Sequence, residues 1–362
     1  MQKFMKRNWP VMLAVAALAG ATAVTPTPVS AQTSVADFYK GKQIRMVIRT
    51  AAGGSYDLYS RLIGRHIGRY IPGNPTVVPI NMPGGGGLAS VNHIAQIAPK
   101  DGTSLIIPSL GIAMYQALDF FGENLKADIG EFQWIGNVST SNPLVATWHE
   151  AKVKTLDDAR REVAHLGTSG AGSISSQLPA VYNNLLGTKF KVIYGYDGEE
   201  ASIAMERKEI DGRASNTWAS YKATTPAWVR DRKLNLLLQV GLAKEPELPD
   251  VPLLVDLARN DEERQIFSFF SKVAALTRPM ATGPGVPPDR VAALRKAFMD
   301  TMSDPDFLSE AAKLNAEVGP TMDGETVQRL TVEILKTPKP LLEKVRSVMK
   351  HREGDEITPT KK

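Results

Sequence analysis

This chain of 362 residues contains no cysteine. Disulfides and thiolate metal sites are therefore excluded, as is the lipid-modified cysteine that tethers bacterial lipoproteins. Nor is there an apolar run of the roughly 20 residues that a membrane-spanning helix needs; the nearest, Val11 to Val24, is short and rich in alanine. The histidines His66, His93, His149, His165 and His351 are scattered, with no H-E-x-x-H and no paired zinc spacing. No G-x-S-x-G elbow, no G-x-G-x-x-G fingerprint and no P-loop lysine occurs. Glu199-Glu200 and Asp157-Asp158 read as solvated helix starts, not acid–base pairs. A basic stripe with interleaved aromatics is also missing, so nucleic acid is not an expected partner. Together these absences predict a protein without catalytic residues, metal or cofactor.

What is present begins with an export signal. Lys3, Lys6 and Arg7 precede the alanine-rich apolar run, and Val29-Ser30-Ala31 is a small-residue cleavage site. Residues 1–31 are read as a signal peptide cleaved near Ala31, which predicts a periplasmic protein without a lipid anchor; a membrane anchor is the other reading, and the run is too short for it. Removing the three basic residues lowers the formal net charge from +5 by three, to +2. The remainder is long enough to bury sizeable cores without disulfides, and its length favours two domains.

Two glycine-rich turns dominate the mature chain. Ala51 to Asp57 follows the strand Ile44–Thr50 and opens a helix over 55–70; Asn81 to Gly87 follows Thr76–Ile80 and opens another. Glycine lets backbone N–H groups approach a ligand, and a helix start adds free donors and partial positive charge. Side by side they make an anion receptor, with Ala52, Gly53, Gly54, Ser55, Gly84, Gly85 and Gly86 as candidates; the bland reading is a pair of tight connections. Asp57 repels a carboxylate, so it is expected to cap its helix or hold a water.

Strands then recur about every 30 residues with helices between, the pattern of a covered, mainly parallel sheet. It lapses over Phe120 to Ser141 and restarts with Leu144–Trp148. The expected architecture is two α/β lobes: residues 33–140 plus 268–350, and residues 141–267. Lys272–Leu276 is read as the strand that rejoins the first sheet, giving two crossings between lobes, and 351–362 as a frayed polar tail. In the second lobe, Thr168 to Ser173 leads into a helix, so Ser169 and Ser173 face a ligand or merely cap. Ser109 ends the third strand, where ligands sit in open sheets. Asn216, Trp218 and Tyr196 follow second-lobe strands; Trp218 either stacks on a flat ligand or packs in the core. Arg213 meets an anion only if it points inward.

Five motifs in register resemble one family. They are Tyr39 to Arg45, the Ala-Gly-Gly-Ser-x-Asp turn at 52–57, Asn-x-Pro-Gly-x-Gly-Gly at 81–87, Pro-x-Asp-Gly at 99–102 and Leu-Pro-Asp-Val-Pro at 248–252. This pattern is similar to the Bug/TctC proteins, the extracytoplasmic solute receptors of tripartite tricarboxylate transporters. The resemblance implies a type II periplasmic binding protein-like fold, with a small organic carboxylate between the lobes and delivery to an integral-membrane permease of large and small subunits. It implies that the turns at 52–57 and 83–87 hold one carboxylate and the opposite lobe its distal part. A monomer is expected. Tyr56, Met82, the segment Gly195 to Gly198, and Asn216-Thr217-Trp218 depart from the family pattern, so the resemblance leaves the ligand unnamed. A sensor for a membrane signalling partner and, less favoured, a carboxylate-processing enzyme are the other readings.

Overall fold

Gln43–Ile48 (β1) buries Ile44, Met46, Val47 and Ile48 and pairs in parallel with Thr76–Asn81 (β2) on one side and Ser104–Ile107 (β3) on the other. The computed structural model describes residues 34–357 except Gly172 and Asp197. The expected export signal, residues 1–31, and the last five residues of the expected tail lie outside the described residues. After β3 the chain adds Gln133–Asn137 (β4) and crosses into a second sheet. That sheet is built from Pro143–Trp148 (β5), Ala164–Thr168 (β6), Phe190–Tyr194 (β7), Gly212–Thr217 (β8) and Leu234–Gln239 (β9). The chain then returns through Pro279–Thr282 (β10) and Met322–Asp323 (β11), and ends in Glu356–Ile357 (β12). The orders are β11-β4-β10-β3-β1-β2 and β12-β7-β6-β8-β5-β9.

Both sheets are mixed. β1, β2 and β3 run parallel, as do β12, β7, β6 and β8; β10 is antiparallel to β3 and β4, and β5 to β8 and β9. Helices cover both. Ser55–Ile67 buries Tyr59, Leu62, Ile63 and Ile67, and Pro288–Met302 buries Val291, Leu294, Ala297, Phe298 and Thr301, the stripes that helical spacing predicts. One apolar cluster lies within the first lobe, around Ile48, Tyr59, Leu105 and Phe298. Another runs through both, joining Ile106, Tyr115 and Trp134 to Leu166, Tyr182, Phe267 and Phe270. Each such side chain stabilises by about 1.5–3 kcal/mol when fully buried, so the lobes share core as well as chain.

Three expectations are corrected. Lys272–Leu276 is not a strand: through Ala275 it is the end of the helix Asp261–Ala275, capped by the Asn260 side chain, and the strand that rejoins the first sheet is β10. The irregular stretch 120–141 contains β4, a central strand of its sheet. The tail is not frayed as far as Ile357. β12 pairs with β7, Asp355 Oδ2 accepts from Asn183 Nδ2 at 3.0 Å, and Arg352 Nε donates to Asn184 Oδ1 at 3.0 Å. The chain therefore passes between the sheets three times, not two.

Candidate functional site

The ends of β1, β3, β6 and β8 meet at one cavity of about 690 Å³ between the sheets, the place where open α/β sheets receive ligands. Among the expected residues, Gly53, Gly54, Ser55, Asp57, Ser109, Ser169, Ser173, Tyr196 and Asn216 line it, and Arg213 does too.

The first glycine turn is built around Asp57. Its Oδ2 accepts the Gly53 N–H at 3.2 Å, and its Oδ1 accepts Arg61 Nε at 2.8 Å and Asn81 Nδ2 at 2.9 Å. Asn81 Nδ2 also donates to the Thr50 carbonyl at 2.9 Å, tying the two turns together. Asp57 thus braces the turn, as like-charge repulsion predicts, and takes up the Gly53 amide itself. The helix that follows has Gly54 as its cap and no side-chain cap, and its first residues, Ser55 and Tyr56, line the cavity.

Of the expected residues, Ala52 of the first turn and Gly84, Gly85 and Gly86 of the second do not line the cavity; Ala52, Gly84 and Gly85 are exposed. The second turn wraps a guanidinium instead. Arg49 Nη2 donates to the Gly86 carbonyl at 2.9 Å, and the Arg49 guanidinium lies 4.5 Å from the centre of the Tyr56 ring. Gly87 (φ +105°) abuts it so closely that an added Cβ would stand 2.7 Å from Arg49 Nε. Arg49 is 6 % exposed and lines the cavity.

A second arginine does the same from the other side. Arg278, 2 % exposed, precedes β10 and also lines the cavity. It donates to Ser139 Oγ at 3.2 Å, Thr217 Oγ1 at 3.2 Å and Ser220 Oγ at 2.7 Å, and lies 4.0 Å from the Tyr59 ring centre. Among the described residues no ion pair involves Arg49, Arg213 or Arg278. The Nε atoms of Arg49 and Arg278 are buried without a hydrogen-bond partner. Buried charge without a counter-charge costs several kcal/mol, so this wall is strongly disposed toward an anion.

The facing wall is hydroxyl-rich. Ser175 Oγ lies 2.6 Å from Thr168 Oγ1 and 2.8 Å from Ser173 Oγ, and Ser173 also caps the helix Ile174–Leu186. Burial and neighbouring Glu209 push the Tyr196 hydroxyl's pKa up, keeping it a neutral donor. Trp218 does not reach the cavity. Its indole packs with Leu144, Trp148 and Tyr221, and Nε1 donates to Glu247 Oε2 at 2.9 Å. Among the described residues no group of three His, Asp or Glu side chains is placed to hold a metal ion.

Sequence reasoning passes over Arg49 and Arg278. An arginine directly after a buried strand and before small residues is a signal for the first; for the second no local signal exists, because Ser139, Thr217 and Ser220 come from distant segments.

Two mixed α/β lobes closing on a shared cleft define the fold of the two-lobed periplasmic binding proteins. The periplasmic binding protein BugD matches with a TM-score of 0.66 at 19% identity, over 86% of this chain and 98% of that one. MatC from Rhodopseudomonas palustris, solved with malate, matches with a TM-score of 0.63 at 19% identity, over 85% and 99%. In sequence, the UPF0065 protein in the gbd 5' region of Cupriavidus necator is 25% identical over 350 residues, covering 94% of this chain and 98% of its own. No family model matches the chain. The likeness to Bug/TctC proteins seen in the five motifs thus extends along the chain and through the fold.

Proposed function

We propose that this protein is an exported periplasmic solute receptor. It captures a small organic carboxylate in the cleft and hands it to a tripartite tricarboxylate-type permease of large and small subunits. The observation that carries the reading is the cavity wall itself: a helix start and two buried guanidiniums without ion pairs line it where the strands end. Such a wall binds negative charge through fixed donors, and exclusion of water by the second lobe strengthens each contact. The structural relative MatC is solved with malate, a small organic acid of this kind. The mechanism is capture and release, with the ligand chemically unchanged. Ligand stabilises the closed form by its differential affinity, and the permease reads that form.

The test is a thermal-shift screen of the chain from Gln32 onward against organic acids. A binder present at 100 times its dissociation constant stabilises by about 2.7 kcal/mol, and the acid should be recovered intact after incubation. Deleting the gene should abolish uptake of that acid. A screen in which no organic acid raises the melting temperature removes the reading; loss of a transcriptional response with uptake intact replaces delivery by sensing.

A further inference from the structure

Building on the anion-receptor reading above, we propose that Arg49 and Arg278 are direct ligand contacts that read charge, making the cleft selective for a compact dianion over a monoanion. The two side chains come to the same cavity from separate strands. Arg49 follows β1 and Arg278 precedes β10, with β3 between them. Their backbones therefore stand about 10 Å apart, two strand spacings, at the same edge of the sheet. Both guanidiniums then settle on rings of one helix, Arg49 on Tyr56 and Arg278 on Tyr59. Those rings are three residues apart and so share one helical face, roughly 5–6 Å between Cβ atoms. The start of that helix, with its own partial positive charge, lines the same cavity through Gly54, Ser55 and Tyr56.

Three facts set this pair apart from structural arginines. Each is more than nine-tenths buried and lines the cavity. Each is held only by neutral groups, a carbonyl for Arg49 and three hydroxyls for Arg278. Each keeps a buried Nε–H with no acceptor. Of the three carboxylates on the cavity, Asp57 is engaged by Arg61 and Asn81, Glu206 accepts the Trp228 indole N–H, and Glu199 reaches the Gly53 turn, its Oε2 2.8 Å from where a Cβ on Gly53 would stand; none forms an ion pair with Arg49 or Arg278 among the described residues. Two like charges on one cavity repel each other. One negative charge relieves half of that arrangement and two relieve all of it, which is the source of the selectivity. The spacing of the two rings on which they rest, about one helical turn, suits two carboxylates separated by a short chain.

The experiment is titration calorimetry with diacids each paired with its own monoamide: succinate with succinamate, glutarate with glutaramate, adipate with adipamate, and phthalate with phthalamate. Inorganic phosphate and methylphosphonate complete the panel. The expected result is that the diacid that binds does so at least 30-fold more tightly than its monoamide, and that this ratio falls below 3-fold in Arg49→Gln and in Arg278→Met. The melting temperature of the unliganded Arg49→Gln protein should equal or exceed that of the wild type, because an unpaired buried charge has been removed; a structural arginine would lower it. Arg49→Gln also serves if Arg278→Met fails to fold. A monoamide that binds as well as its diacid, or an unchanged ratio in Arg49→Gln, overturns the charge reading while leaving the carboxylate receptor standing. Binding of methylphosphonate but of no carboxylate, with loss in Arg49→Gln, overturns the carboxylate reading and keeps this one. A panel in which nothing binds overturns both.

Discussion

Gly87 shows how one missing side chain shapes the site. Its backbone sits at φ +105°, and its neighbour is the Arg49 guanidinium rather than a ligand. Alanine there is strained by its conformation, on the order of 1–3 kcal/mol, and its methyl group collides with Arg49 Nε as well. Gly87→Ala is therefore expected to lower stability by about that amount in urea titration and to weaken the acid-induced thermal shift, since Arg49 must move. Full stability with full binding would mean that the turn does not hold the arginine. At this scale the site was half legible. The glycine turn at 52–57 and the bracing role of Asp57 follow from local rules of helix starts and like charges. Arg49 and Arg278 do not, because the hydrogen-bond partners of their guanidiniums lie 37 and 58 or more residues away. Nothing in a short window tells a buried arginine from a solvated one. Trp218 illustrates the reverse: its position after a strand suited a ligand, but Glu247 and the surrounding rings draw the indole into the core.

Periodicity carried most of the elements. The helices Ser55–Ile67 and Pro288–Met302 have clear apolar stripes, and β1, β2, β6 and β7 are short apolar runs after turn residues. Lys272–Leu276 misleads because five mostly apolar residues fit a strand or a helix end equally well. The deciding signal lay a dozen residues earlier, in the Asn260 cap and the acidic first turn Asp261 to Glu263. The tail misleads by its polarity. Arg352 is exposed and Asp355 partly buried, yet they bond Asn184 and Asn183, and the Asp355 carbonyl also accepts the Val192 N–H at 2.8 Å. These contacts place β12 beside β7. Deleting residues 351–362 removes several hydrogen bonds worth about 0.5–1.5 kcal/mol each. The truncated protein should lose on the order of 2 kcal/mol in chemical denaturation, with faster hydrogen exchange along β7. A tail that does no structural work would leave both unchanged.

Across the whole molecule, contacts over the cleft decide how the lobes meet. Ser220 Oγ donates to Ser55 Oγ at 3.0 Å, and the Gly54 and Gly198 backbones touch so closely that a Cβ on Gly54 would lie 2.9 Å from Gly198 Cα. Lys222 of the second lobe links Glu247 of its own lobe, at 2.6 Å, to Glu317 of the first, at 2.8 Å. Burial works against the Lys222 charge, but its bonds to the two carboxylates outweigh this and its pKa is raised. Lys222, helped by the Trp218 indole, holds the Glu247 carboxyl below its ordinary 4.5. A depressed carboxyl contributes its full stabilisation above pH 4.5 and loses it as the pH falls through the lowered value. Because these groups are partly exposed, the bridge is worth about 0.2–1 kcal/mol. Lys222→Met should therefore raise the dissociation constant of the bound acid about 1.4- to five-fold, with the lobes' own melting little changed. The wild type's advantage over the variant should shrink as the pH is lowered below 4.5. Small-angle scattering should find the liganded variant more expanded than the liganded wild type. Equal affinity and equal dimensions would mean that the lobes are held together by their shared apolar core and the ligand alone, with no help from the bridge.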